Sequence, residues 1–166
     1  MNKKSDDEIT LLERIHSHAN ESMFTLALQY RRLKTVEPED KEFVMRWYAD
    51  MRFLILEIIR FRKIIGNTQD IPSVSNSMKD SIEKFDNTIP NLKKMRNVSE
   101  HIAEYIAGNG RDKGVNSKEL EVMIGDEEDY EWLGVRLNFK EVIKSAENCT
   151  SILNMKYKKR IRQLKY

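Results

Sequence analysis

The chain contains very little cysteine, proline and glycine. Among 166 residues there is one cysteine, Cys149, with three prolines and six glycines. One cysteine excludes an internal disulfide framework and provides no zinc-binding pattern, which fits a reducing compartment, so we expect a cytoplasmic protein. Charged residues make up 34% of the chain and hydrophobic ones 40%. This composition is typical of a globular domain rich in helix-forming residues.

Long apolar runs and a strong charge bias are also missing. The most apolar segment, residues 53–65, is interrupted by one acidic and three basic side chains. It is too polar to cross a membrane, and the opening Met-Asn-Lys-Lys does not resemble a signal peptide, so we expect no membrane association. The net charge of +2 is too small to indicate a nucleic-acid partner by itself. Where the charges lie therefore matters more than their sum.

Apolar residues spaced three and four apart predict a helical core. They mark helices over about residues 5–34, 38–66, 75–87 and 92–107. We expect residues 1–166 to form a single domain, because one domain is the default at this length. The four helices form its expected core, residues 1–107.

The rest of the chain predicts a small β-hairpin and a long helix. Within the segment 108–137, strand-forming stretches at 120–124 and 130–137 flank the acidic, turn-like segment Gly125–Asp129. The capping residue Asn138 then begins a final helix, residues 138–166. The expected fold is therefore an all-α bundle of about five helices, with a small β-hairpin inserted before the last helix.

The end of that last helix is strongly basic. From residue 156 its polar positions are almost all lysine or arginine, including Lys158, Lys159 and Arg162. Such a cluster is usually a solvated face that complements the helix dipole. Its functional interpretation is a contact to RNA phosphates, to a membrane surface or to a partner protein.

The stretch Arg-Asn-Val-Ser-Glu-His, residues 96–101, carries the clearest chemistry. Asn97 and His101 are four residues apart, which places them on one face of a helix, and Arg96 can reach the same region. A guanidinium beside an imidazole suits a phosphate, because one neutralises charge and the other moves a proton. Alternatively, Arg96 pairs with Glu100 on an ordinary helix surface and His101 is only partly buried.

These six residues resemble the R-x(4)-H signature of the HEPN superfamily, in which a polar residue, often Asn, follows the Arg. The resemblance implies a helical bundle that works as a dimer, and many such proteins are metal-independent ribonucleases. It would make Arg96 the residue that neutralises the scissile phosphate and His101 the proton-transfer or 2′-hydroxyl-orienting group. Asn97 would hold the phosphate or the histidine ring. No metal or other cofactor is implied.

Other residues are weaker candidates for the same site. Lys93 and Lys94 precede the motif, and Arg111 lies in a glycine-containing loop from which it can reach a bound phosphate. The resemblance also implies an acidic residue on the facing helix that orients the basic pair, for which Glu57 is the candidate. The alternative for Glu57 is a solvated surface acid.

Three functions follow from these patterns together with the HEPN resemblance, which alone implies the ribonuclease and defence roles. The first is a metal-independent endoribonuclease or RNA-binding protein of the toxin–antitoxin or phage-defence type, with RNA, a second copy and a protein partner or antitoxin as partners. The second is a non-catalytic helical module that binds another protein through its basic terminal helix. The third is an inactive relative that binds nucleotide or RNA without cleaving it.

Overall fold

The fold is an all-α bundle with a small antiparallel sheet before the last helix, as the sequence predicts. A computed structural model describes residues 3–124 and 129–164, without the side chains of 3–6, 39, 124 and 164. The α-helices are α1 Lys3–Lys34, α2 Arg46–Gly66, α3 Pro72–Thr88, α4 Leu92–Glu100, α5 Ile102–Ile106 and α6 Phe139–Leu164. The strands are β1 Met123–Ile124, β2 Asp129–Trp132 and β3 Val135–Asn138. Short 3₁₀ turns occupy Pro38–Lys41, Asn67–Asp70 and Ser117–Leu120.

Four long helices enclose the core. Helix α1 packs against α2 and α6, and α3 packs against α6. The face of α6 that points inward is fully buried at Val142, Ala146, Cys149 and Leu153. The terminal helix α6 is thus as much a part of the core as α1 to α3. The expected core, residues 1–107, did not include it. Burying this many apolar side chains is the main stabilising contribution to the bundle.

The predicted hairpin is present, but the stretch that was predicted as its second strand, residues 130–137, forms two strands joined by a turn. Strands β2 and β3 pair antiparallel with Trp132 opposite Val135, and a two-residue turn at Leu133 and Gly134 joins them. Both turn residues have positive φ, 55° and 70°, as a type I′ turn requires. Strand β1 adds to the other edge of β2. Of the predicted acidic turn, Gly125–Asp129, only Asp129 lies within the described residues.

The second helix begins later than predicted. Residues 38–41 form a separate 3₁₀ turn and α2 starts at Arg46, so Phe43 and Val44 are exposed instead of lying on its buried stripe. The cause is the Arg46 guanidinium, which donates hydrogen bonds to the Thr35 carbonyl oxygen at 2.5 Å and to Asp40. These bonds hold the connection between α1 and α2 in an irregular conformation.

Two further boundaries differ from prediction. Helix α3 begins at Pro72 and not near residue 75. Proline is favoured in the first turn of a helix because its ring fixes a helical φ. The predicted fourth helix is broken at His101 into α4 and α5. No residue of α5 is fully buried, so little packing holds it in line with α4.

The beginning of α6 agrees with the sequence. The Asn138 side chain accepts a hydrogen bond from the Glu141 backbone N–H at 3.1 Å, which is the predicted cap. Further along α6, the buried Cys149 thiol donates to the Ser81 carbonyl oxygen at 3.3 Å, and burial raises the pKa of this thiol. None of the described helices is long and apolar enough to cross a membrane.

Candidate functional site

Helix α4 presents the motif at the edge of the bundle. It follows Asn91, whose left-handed conformation (φ 64°) turns the chain after α3, a conformation that Asn tolerates better than most residues. Met95 and Val98 are fully buried and fix the rotation of α4 against the core. The side chains beside them, Arg96 and Asn97, are therefore only half-buried.

The break at His101 keeps the spacing that the motif needs. The His101 backbone N–H still donates to the Asn97 carbonyl oxygen at 3.1 Å, so the two residues remain one helical turn apart. At His101 the backbone departs from helical geometry (φ −119°, ψ 28°) and α5 begins with the next residue. His101 thus sits at a corner between two helices and not in the middle of one, with 41% of its side chain exposed.

The loop after α5 closes the other side of the site. Gly110 is buried against Tyr105, so close that a Cβ atom on Gly110 would lie 2.2 Å from the Tyr105 ring. The Tyr105 hydroxyl also accepts a hydrogen bond from the Asp112 backbone N–H at 3.2 Å. Only glycine permits this approach, which brings Arg111 next to α4.

These elements enclose a cleft of about 200 Å³. Helix α4, the corner residue, helix α5 and the loop contribute its lining, which is Arg96, Asn97, Glu100, His101, Tyr105, Arg111 and Asp112. The three motif residues and the loop arginine therefore line one cavity. Two guanidinium groups, an imidazole, an amide and a phenol can bind and act on a phosphodiester, and the carboxylates of Glu100 and Asp112 line the same cavity.

Carboxylates hold two of the motif side chains, those of His101 and Arg96. His101 Nδ1 lies 2.8 Å from Glu104 Oε1, which fixes the ring and leaves Nε2 free for proton transfer when Nδ1 carries the hydrogen. Arg96 Nε donates to Glu100 Oε2 at 3.2 Å. This second contact is the i,i+4 pair that the alternative interpretation of the motif predicts.

The Arg96–Glu100 pair is exposed enough to exchange partners. The two side chains are 37% and 48% exposed, and ion pairs in that setting contribute at most about 1 kcal/mol. A phosphate offers the guanidinium two oxygens and more charge than a carboxylate. An anionic ligand in the cleft can therefore replace Glu100 at little cost.

Glu57 is held away from the motif. Its carboxylate accepts a hydrogen bond from the Ser22 hydroxyl on α1 and lies 3.7 Å from Arg60 Nη1. Glu57 therefore fastens α1 to α2. The carboxylates that contact the motif are Glu100 and Glu104, which lie on the motif's own stretch of chain.

The remaining basic candidates lie outside the motif cleft. Lys93 lines a neighbouring groove that also includes Arg96, whereas Lys94 lines neither cavity of the described chain. Lys158, Lys159 and Arg162 lie together along the end of α6 around the exposed Met155. The structure thus groups Arg111 with the motif and leaves the terminal cluster as a separate surface.

Two residues that shape the site were not among the sequence candidates: Tyr105 lines the cleft, and Glu104 supports His101 from outside it. Glu104 and Tyr105 follow His101 by three and four positions, so their helical spacing to the histidine is visible in the sequence. What the sequence lacks is the packing of the loop against Tyr105, which depends on Gly110 and makes the phenol part of the cleft. Within the described residues, no group of three or more His, Cys, Asp or Glu side chains is placed to hold a metal ion.

Comparison of the chain with protein-family models, with curated proteins and with solved structures gives no match. We therefore infer the function from the geometry of the cleft.

Proposed function

We propose that this protein is a metal-independent endoribonuclease of the HEPN type, which acts as a homodimer. The observation that carries the proposal is the shared cleft, in which Arg96, Asn97 and His101 lie with Arg111 around one cavity. The cavity is large enough for a phosphodiester group, and the surrounding side chains can neutralise its charge. A toxin or defence role, with a protein antitoxin as partner, belongs to the same proposal.

The reaction uses a nucleophile that the substrate provides. The 2′-hydroxyl oxygen of one nucleotide attacks its own 3′-phosphorus, and the bond from phosphorus to the 5′-oxygen of the next nucleotide breaks. His101 Nε2 takes the proton from the 2′-hydroxyl, or orients that hydroxyl while water takes the proton. The leaving 5′-oxygen then receives a proton from the protonated His101 or from water. Arg96 and Arg111 stabilise the negative charge that develops on the phosphoryl oxygens. The products are a 2′,3′-cyclic phosphate and a free 5′-hydroxyl.

The decisive test compares wild type with His101→Ala and Arg96→Ala on mixed cellular RNA in the presence of EDTA. Each substitution should reduce cleavage by about 10²–10⁴-fold, because it removes a proton-transfer or charge-stabilising group. Wild-type products should carry 2′,3′-cyclic phosphate, and a substrate with 2′-deoxyribose at the cut position should resist.

The chain offers a matched control for the histidine. His18 Nδ1 lies 3.2 Å from Glu21 Oε2, an i,i+3 pair on α1 like that of His101 with Glu104, but outside the cleft. His18→Ala should therefore cleave as wild type does, and circular dichroism should show all variants folded. If wild type and His101→Ala have equal activity, or neither has any, the ribonuclease proposal is wrong.

A second candidate function is favoured by the surface of α1 and α2. Phe24 and Leu28 on α1, and Phe53 and Leu56 on α2, are exposed, and exposed apolar side chains of this size often mark protein contacts. A non-catalytic interaction module would use this surface or the basic end of α6. Phe24→Ser with Phe53→Ser would abolish binding of the protein partner if the α1–α2 surface is used, and Lys158→Gln with Lys159→Gln would do so if the end of α6 is used. In either case His101→Ala would have no effect.

A further inference from the structure

A second cavity lies directly beside the cleft. It has a volume of about 400 Å³ and is formed by the C-terminal half of α2, the end of α3 and the start of α4. Arg96 lines both this groove and the motif cleft, so the two cavities meet at that side chain. A chain molecule whose phosphate lies at Arg96 can therefore continue into the groove.

The lining of the groove combines an apolar floor with basic walls. Ile59 and Ile89 are buried beneath it and Leu92 is half-buried beside them. Four basic side chains surround this floor: Arg62, Lys63, Lys93 and Arg96. Such a surface suits a flat, weakly polar group that is attached to a phosphate, which is the chemistry of a nucleotide.

Half of the four basic side chains in the groove, Lys63 and Lys93, have no carboxylate partner among the described residues, whereas Arg62 and Arg96 are paired. The groove's one carboxylate in the described chain, Asp86, is engaged by Arg62, with Nε to Oδ1 at 2.5 Å and Nη2 to Oδ2 at 2.9 Å. That pair also fixes the position of the Arg62 guanidinium. Lys63 and Lys93 are exposed, and neither has an ion pair with a carboxylate among the described residues. Asn91 adds an amide that can bond to the edge of a base.

We infer that this groove binds the nucleotide next to the cleaved phosphate of single-stranded RNA, with its base on the aliphatic floor and its phosphate between Lys63 and Lys93. The inference rests on the proposed function, because it assigns a substrate subsite adjoining the same cleft. Binding in this groove should make the enzyme prefer RNA that continues by at least one nucleotide beyond the cleaved linkage on one side.

The first arm of the test measures binding in the His101→Ala background, so that RNA is not consumed. A fluorescent single-stranded oligoribonucleotide should bind Lys63→Gln/Lys93→Gln about tenfold more weakly than the parent. Because the two lysines neutralise one phosphate, their loss should also flatten the slope of log K against log salt by roughly 0.7. The matched control is Lys140→Gln/Lys144→Gln, two exposed lysines on α6 with the same change in charge. It should bind as the parent does.

The second arm measures kcat/KM with the active protein on a dinucleotide and on trinucleotides extended by one residue at either end. One extension should raise kcat/KM in wild type and in the control. The gain should disappear in Lys63→Gln/Lys93→Gln, and it should shrink when the added nucleotide lacks its base.

The outcomes separate the groove from the ribonuclease activity. If extension helps the double variant as much as wild type, the groove assignment is overturned while the ribonuclease proposal stands. If the variant loses RNA affinity but no protein cleaves RNA, the groove is supported and the ribonuclease proposal fails. A free nucleoside monophosphate that binds as tightly as the oligonucleotide would show a mononucleotide site and overturn the inference. Absence of any RNA binding would overturn both.

Discussion

His101 depends on Glu104 for its orientation. The carboxylate holds Nδ1 at 2.8 Å, and the histidine occupies a corner where the backbone alone does not fix its ring. Glu104 does not line the cleft, so it is a positioning residue that acts through the imidazole. In metal sites, groups that hold a histidine ligand in this way typically contribute about 10- to 100-fold, and we expect an effect near the lower end for Glu104.

We therefore expect Glu104→Ala to lower kcat about tenfold or more while KM stays nearly constant. Glu104→Gln should recover part of the loss, because its amide oxygen can still accept the Nδ1 hydrogen. Steady-state kinetics on a defined oligoribonucleotide provide the two constants. An equal loss in both variants would show that charge matters and orientation does not, and a change confined to KM would contradict the positioning role.

At the scale of elements, the loop after α5 is as important to the site as the motif helix. Gly110 allows the loop to lie on the Tyr105 ring, and the loop in turn supplies Arg111. Gly110→Ala would place a methyl group within the ring, so either the ring or the loop must move. Overpacking of this kind typically costs about 1–3 kcal/mol.

Gly110→Ala should therefore lower the free energy of unfolding by about that amount and reduce RNA cleavage by displacing Arg111. Chemical denaturation and cleavage assays measure the two effects. Asn109→Ala, a substitution at an exposed position of the same loop, should change neither. If Gly110→Ala cleaves RNA normally, Arg111 is not needed in the position that the structure gives it.

The connection between α1 and α2 should make stability sensitive to acid. The hydrogen bond from Arg46 and a second one from the Glu37 backbone N–H lower the pKa of the Asp40 carboxyl from 3.8 to about 2. Because the folded pKa is lower than the unfolded one, the stabilisation is complete above pH 3.8 and is lost as the pH falls through about 2.

Wild type should thus lose more thermal stability between pH 5 and pH 2 than Asp40→Asn, which has no carboxyl to titrate there. The midpoints of thermal unfolding at the two pH values test this. Asp70→Asn, at an exposed acid of another 3₁₀ turn, should lose as much as wild type. Parallel losses in wild type and Asp40→Asn would show that the Asp40–Arg46 contact does not contribute.

At the scale of the whole molecule, one chain provides one Arg–His pair, and the HEPN resemblance implies that a symmetric dimer brings two such pairs together in one composite site. Helix α4 and its corner should lie near the two-fold axis, since that is where the pairs would meet. Ile106 on α5 is 71% exposed beside the cleft and is the apolar residue best placed for such an interface. A stable interface of standard size would bury roughly 1,200–2,000 Å² in total.

We expect light scattering to show a dimer at micromolar concentration and Ile106→Asp to shift it to monomer with loss of cleavage. Phe24→Asp is the matched control, because Phe24 is 72% exposed on a different surface, and it should remain dimeric. Circular dichroism should show both variants folded. A wild-type monomer at high micromolar concentration would contradict the composite site without contradicting the bundle.

The sequence by itself determined the elements whose signals are local. Apolar spacing marked the long helices, Asn138 marked the start of α6, and the spacing of Asn97 and His101 placed both on one turn. These features depend on residues within a few positions of one another. Local hydrogen bonds and side-chain periodicity are therefore sufficient to specify them.

Only the tertiary structure decided the features that depend on distant contacts. The start of α2 depends on the bonds from Arg46 to residues of the α1–α2 connection, and the break at His101 precedes a helix, α5, in which no residue is fully buried. Glu57 was one candidate for the acid that orients the motif, with a solvated surface acid as the alternative, and its bond to Ser22 instead joins it to α1. Arg111 reaches the cleft because Gly110 fits against Tyr105. Each depends on which side chains meet after the chain has folded, and the spacing of residues along the chain does not contain that information.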